Sequence, residues 1–174
     1  ILTISTRPAA EAPGDALVIG LVASTDGAGL APGHGLPRRA VTHLKTVIGD
    51  LELKGASGDT TVLAAVPDVT AKLVVLAGLG ELTSRPDSAA LEDVRCGFGA
   101  ALRGLGTKKK VVVVVPGSST ALVAATAEGV ALGAYGIPKA GATGEAVSTI
   151  SIVGPADAAA RKAVKRAAAL ADAV

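Results

Sequence analysis

Two stretches of this chain are apolar without interruption over the length of a β-strand, and they restrict its fold more than any other feature. Ala16-Leu17-Val18-Ile19-Gly20-Leu21-Val22, entered through Asp15, and Val111-Val112-Val113-Val114-Val115 place no polar residue at alternate positions. Successive side chains of a strand point to opposite faces, so a strand with one wet face alternates apolar and polar residues. An unbroken run has to be covered on both faces, as in the interior of a sheet held between helices. Short β-branched runs alternate with helical patterns along the rest of the chain, and the fold class read from this order is α/β.

The remaining elements follow from the same periodicities. Leu2 to Thr6 reads as an edge strand ended by Arg7-Pro8, and Asp26 to Pro37, rich in Gly and Pro, as a long loop carrying His34. Val41, Leu44, Val47, Ile48 and Leu51 recur at helical spacing and predict a helix over 39–51. Strands are predicted over 61–66 and 72–79. Only Pro67-Asp68 and a few residues separate them, too few for a crossover helix, so a hairpin is expected. A second helix is predicted over 87–105, capped by Asp87 or Ser88, with Glu92-Asp93 in its early turns. Lys108-Lys109-Lys110 leads into the central valine strand. Gly117-Ser118-Ser119-Thr120 caps a third helix that runs to about Tyr135 and is stopped by Gly136 and Pro138. A last strand covers 148–153. Pro155 opens an Ala-rich basic helix reaching Val174, with Asp157 early and Val164, Leu170 and Val174 as its apolar positions.

A length of 174 residues supports one domain with a full core. Aromatic residues are 1% of the chain, Phe98 and Tyr135, so the core relies on many small aliphatic contacts. The same scarcity argues against single-stranded nucleic-acid platforms, which stack bases on aromatic rings. With 17 basic and 15 acidic residues the net charge is +2, which points to neither a nucleic-acid nor a membrane partner. Cys96 stands alone, so no internal disulfide can form and a reducing cytoplasm is the expected setting. Position 1 is Ile1 and the sequence contains no methionine, from which we expect a piece of a longer protein.

Candidate chemistry is sparse. His34 and His43 are the only histidines, and no HExxH, CxxC or close Asp/Glu/His cluster accompanies them. They read as solvated or satisfied side chains, not metal ligands. Gly117-Ser118-Ser119-Thr120 lacks the spacing of a nucleophile elbow and is better explained as a helix cap. Cys96, inside a helical pattern, reads as a small buried hydrophobe; if it were exposed, Arg95 could depress its thiol pKa. Gly78-Leu79-Gly80 ends a strand where backbone N–H groups could face an anion, but the third glycine of a dinucleotide fingerprint is absent and a tight turn suffices. Lys108 to Lys110 read as a solvated turn.

Four stretches share one further property. Lys72-Leu73-Val74-Val75-Leu76-Ala77-Gly78-Leu79-Gly80 is a lysine-led strand ending in Gly-Leu-Gly. Asp93-Val94-Arg95-Cys96-Gly97 followed by Ala100-Ala101-Leu102 is a helix with an Arg and small residues. Glu128-Gly129-Val130-Ala131-Leu132-Gly133-Ala134-Tyr135 is the most distinctive piece, and Ala167 to Val174 begins a long helix. In this order they resemble the N-terminal domain of the leucyl (cytosol) aminopeptidase family over roughly residues 15–174. After Tyr135 this chain has Gly136-Ile137-Pro138-Lys139-Ala140, where the family usually carries an aromatic and basic run.

The resemblance implies a macro-like three-layer domain over 1–154, a mixed sheet flanked by helices. Residues 155–174 would begin the helix connecting to a C-terminal catalytic domain that this chain lacks. It implies a parent metalloprotein, a cytoplasmic homohexameric hydrolase that removes N-terminal residues such as leucine. Two divalent metals, Zn or Mn, would be held in the catalytic domain, where a metal-bound hydroxide attacks the scissile carbonyl. No catalytic, cofactor-binding or metal-binding residue is assigned in this chain, which alone is expected to be inactive. Its expected contribution is to oligomer contacts and to access to the active site. Glu128 is expected to pair with a helix terminus or a basic neighbour. The competing reading is a stand-alone macro-like module holding ADP-ribose or a nucleotide over Gly78, Gly80, Gly117 and Ser118. No aromatic stacking partner supports it. A DNA-tethering role is the third, and the balanced charge argues against it.

Overall fold

The computed structural model describes residues 1–106, 108–135 and 147–173. Their elements, in chain order, are β1 (Leu2–Ser5), a 3-10 turn (Ala9–Glu11), β2 (Ala16–Ser24), β3 (Gly27–Leu30), α1 (Arg38–Asp50), β4 (Thr60–Ala64), β5 (Leu73–Gly78), α2 (Ser88–Gly104), β6 (Lys110–Val114), α3 (Thr120–Ala134), β7 (Thr149–Val153) and α4 (Ala158–Asp172). Seven strands form one sheet in the order β1-β7-β6-β2-β5-β4, with β3 paired to β2. The run from β1 to β5 is parallel, whereas β3 and β4 are antiparallel to their neighbours.

The two apolar runs lie at the centre of this sheet, and their period of two divides them between its faces. Ala16, Val18, Val75, Ala77, Val111 and Val113 point to a core shared with α2, α3 and α4, whose contributions include Phe98, Leu102, Val123, Val130 and Val164. Leu17, Ile19, Leu21, Val74, Leu76, Val112 and Val114 point the other way, to Ala40, Leu44 and Ile48 of α1. The result is three layers, helices on both faces of a mixed sheet, as the unbroken runs require. Phe98 is wholly buried and is the bulkiest fully buried side chain among the described residues.

Most predicted elements stand where the periodicity placed them, including the β4–β5 hairpin, in which Val62 pairs with Val75. The loop expected over 26–37 is in part a strand. β3 folds back on β2 with Leu30 opposite Leu21 and Gly27 opposite Ser24, so only Thr25-Asp26 separates them. Glycines hid it: Gly27-Ala28-Gly29-Leu30 has almost no side-chain pattern, and Gly27 takes φ +128°, open to it for want of a Cβ. The final helix starts later than Pro155 suggested. Asp157 is its N-cap, with Oδ1 accepting from the Ala160 N–H at 2.7 Å, so the acid precedes the helix instead of lying in its first turn. Its buried stripe is Ala160, Val164 and Ala167, while Leu170 is exposed, because α4 meets α3 and β1 through its small residues. Gly136, Pro138, the 136–140 run and Val174 lie outside the described residues.

Candidate functional site

In an open α/β sheet, ligands sit beyond the carboxyl ends of the parallel strands. Here that end carries the glycine turns 78–80 and 117–119 and the loop through Gly33 and His34. A phosphate cradle needs backbone N–H groups that face outward without partners. Those of Gly78, Leu79 and Gly80 instead donate to the carbonyls of Asp59 (2.7 Å), Leu21 (2.9 Å) and Gly55 (2.9 Å), and that of Gly117 to Val115 (2.9 Å). The space is filled as well. A Cβ on Gly78 would overlap the Ala56 carbonyl, and one on Gly33 would come within 3.2 Å of the Val115 carbonyl. The chain's own loops thus fill the space beside Gly78 and Gly33. The arrangement therefore does not favour the ADP-ribose reading built on Gly78, Gly80, Gly117 and Ser118.

The other candidates resolve into local structure. Ser119 is the N-cap of α3, its Oγ accepting from the Leu122 N–H at 3.3 Å, and Ser118 is exposed. His34 Nδ1 accepts the Leu36 N–H at 3.0 Å; its pKa is lowered, first by burial and then by Lys45. His43 is exposed on α1. Among the described residues, no three His, Cys, Asp or Glu side chains converge closely enough to hold a metal. Lys109 and Lys110 donate their backbone N–H groups to Asp15 Oδ2, both at 3.0 Å. The Lys110 bond is the largest cause of a lowered Asp15 pKa; partial burial opposes it, and the Lys109 bond and the Lys72 and Lys108 charges add to the lowering.

Cys96 departs from its expected place. It is exposed on α2, and its thiol pKa is raised, not depressed. Partial desolvation is the largest cause, followed by Glu92, whose Oε1 lies 3.7 Å from Sγ. Arg95 does not offset this because its guanidinium is committed elsewhere. Nε donates to Glu128 Oε2 at 2.6 Å and Nη1 to Glu92 Oε2 at 3.2 Å. The bond to Glu128 is the main cause of the raised Arg95 pKa. Glu128 has the basic neighbour expected of it.

The stretches that set this sequence apart meet at one place. The Arg95–Glu128 pair joins α2 to α3, and the glycines on either side let the backbones touch. A Cβ on Gly129 would lie 2.6 Å from the Arg95 carbonyl oxygen, and one on Gly133 would lie 2.5 Å from that of Gly99. Between Arg95 and Gly99 on α2, Gly97 rests on the end of β5, where a Cβ would overlap the Gly78 carbonyl oxygen. Strand end, α2 and α3 thus stack through Gly78, Gly97, Gly99, Gly129 and Gly133, closed on one side by an ion pair. The glycines and charges of this stack hold two helices and a strand at close range. Tyr135, half-exposed at the end of α3, borders a separate apolar groove of about 480 Å³ with Ile1, Leu2, Ala131, Val147 and Ile150.

The chain as a whole is similar to known proteins. The profile of the cytosol aminopeptidase family, N-terminal domain, matches residues 18–140. A protein named probable cytosol aminopeptidase from Streptomyces griseus is 38% identical over 135 residues, covering 77% of this chain and 26% of the relative. The chain thus spans about a quarter of the length of the curated relatives it matches. The fold is similar to that of a mutant tomato leucine aminopeptidase, with a TM-score of 0.66 at 16% identity over 98% of this chain and 36% of that one. It is also similar to the macro domain of ganglioside induced differentiation associated protein 2, with a TM-score of 0.65 at 13% identity over 98% of this chain and 83% of that one. The macro-like three-layer fold and the helix-packing stack are thus found in a chain that belongs to the cytosol aminopeptidase family, as its N-terminal domain.

Proposed function

We propose that this chain is the non-catalytic N-terminal domain of a larger cytoplasmic leucyl aminopeptidase, a homohexamer that removes N-terminal residues from peptides with two divalent metals, Zn or Mn. The observation that carries the reading is the family match over residues 18–140, whose distinctive side chains here are committed to packing. The donors present do not fit a two-metal centre. His34 is bonded to its own loop, His43 is exposed on α1, and no trio of ligands converges among the described residues. No step of peptide hydrolysis is therefore assigned to this chain. Its part is steric, to shape access to the active site and to supply oligomer contacts. Residues 1–154 form the domain, and 155–174 lead toward the catalytic part.

Two measurements test this together. The intact mass of the protein purified from its own source should exceed 16.8 kDa by several-fold, in keeping with relatives of which this chain is a quarter. That protein should hydrolyse leucyl peptides in the presence of manganese or zinc, whereas the 174-residue chain should not. Hydrolysis by the 174-residue chain, or none by a longer native protein loaded with metal, would refute the proposal.

A further inference from the structure

β4 ends the sheet, and among the described residues nothing pairs with its outer side. The phase of its ladder decides what that side offers. Gly78 donates its N–H to the Asp59 carbonyl, and Thr61 and Leu63 stand opposite Leu76 and Val74. Hydrogen-bonded and non-hydrogen-bonded pairs alternate in an antiparallel ladder. Thr61 and Leu63 therefore turn their N–H and C=O groups to β5, and Thr60, Val62 and Ala64 turn theirs outward. Native edges are normally blunted by a charge, a proline or a bulge within the strand. Thr60-Thr61-Val62-Leu63-Ala64 has no charge and no proline, and Val62 is 53% exposed. The other edge differs, because β1 is flanked by α4.

We infer that β4 is a self-association edge, and that its partner is β4 of a second copy, antiparallel about a two-fold axis through Val62. Two features of the strand suit a copy of itself. Its outward-facing residues number an odd three and are centred on Val62, so a two-fold pairs Val62 with Val62 and Thr60 with Ala64, and every outward donor meets an acceptor. Apolar meets apolar at the centre. This inference does not depend on the aminopeptidase reading.

The test is sedimentation of the 174-residue chain from micromolar to near-millimolar concentration. The mass should rise toward twice 16.8 kDa, and Val62→Lys should hold it at 16.8 kDa with an unchanged far-ultraviolet dichroism spectrum. In a Cys96→Ser background, Val62→Cys should form a covalent dimer on mild oxidation. The Cα atoms of a hydrogen-bonded antiparallel pair lie about 5.5 Å apart, within disulfide reach. Thr46→Cys, exposed on α1, should not cross-link. A wild-type chain that stays monomeric overturns the inference, as does a dimer that survives Val62→Lys. If Val62→Lys does not fold, the cross-link decides: failure of Val62→Cys to cross-link faster than Thr46→Cys overturns it.

Discussion

Replacing Gly133 by alanine tests whether the distinctive Glu-Gly-x-x-Leu-Gly-x-Tyr segment is a packing device. The added methyl would stand 2.5 Å from the Gly99 carbonyl oxygen, 2.7 Å from its Cα and 3.0 Å from its carbonyl carbon. All three are backbone atoms of α2, which cannot rotate away as a side chain can, so α3 has to retreat by roughly an ångström to restore ordinary contact. Overpacking of this kind costs about 1–3 kcal/mol. Alanine is also the better helix former, by up to about 1 kcal/mol, and that gain opposes the cost. Gly49 separates the two effects. It too is the next-to-last residue of its helix, α1, and a Cβ there meets nothing within 4 Å. Urea unfolding followed by circular dichroism should show Gly49→Ala unchanged or slightly stabilised. Gly133→Ala should be about 1–3 kcal/mol less stable than that control, or roughly 3–10 °C in Tm for a domain of this size. Equal effects of the two substitutions would refute the account of the helix crossing.

Thr126 Oγ1 is buried in α3 with no hydrogen-bond partner among the described residues. Thr126→Val should therefore stabilise the chain by about 1 kcal/mol in the same unfolding assay, and a loss of stability would mean that the hydroxyl is satisfied after all. The Asp15 carboxylate binds two N–H groups and has a folded pKa below its ordinary 3.8. Its contribution is present above that value and is lost as pH falls through the depressed one, so the stability gap between wild type and Asp15→Asn should be full at neutral pH and close in strong acid. A gap that persists unchanged below the folded pKa would disprove this. The Cys96 thiol, its pKa raised by desolvation and then by Glu92, should react slowly with iodoacetamide near neutral pH. Glu92→Gln should speed the reaction by lowering the pKa, and an unchanged rate would remove Glu92 as a cause.

Much of the architecture was legible in the residues. The valine run had to be interior, the helical spacing of Val41, Leu44 and Ile48 had to face a core, and Asp87 had the chemistry of a cap before a helix pattern began. β3 was not legible, because a strand that is half glycine has no side-chain alternation to read and is stabilised by its pairing with β2. The position of Cys96 was not legible either. A small apolar residue within a helical pattern fits the buried face or the exposed one, and the burial of Gly97 and Phe98 on the next positions settles which way it turns.

The candidate sites divide along the same line. That the sequence contains no HExxH, CxxC or Gly-x-Ser-x-Gly pattern could be read in one dimension, since those motifs are particular residue types at particular intervals. Whether the glycine turns cradle an anion could not. Gly78 and Gly80 have the same sequence whether their N–H groups face solvent or the carbonyls of Asp59 and Gly55, and those partners lie about 20 residues away along the chain. Periodicity and composition determined that this chain forms a sheet between helices. Tertiary contact alone decided that its glycines close helix against helix and loop against strand, because the absence of a side chain acquires meaning only when another backbone occupies the space.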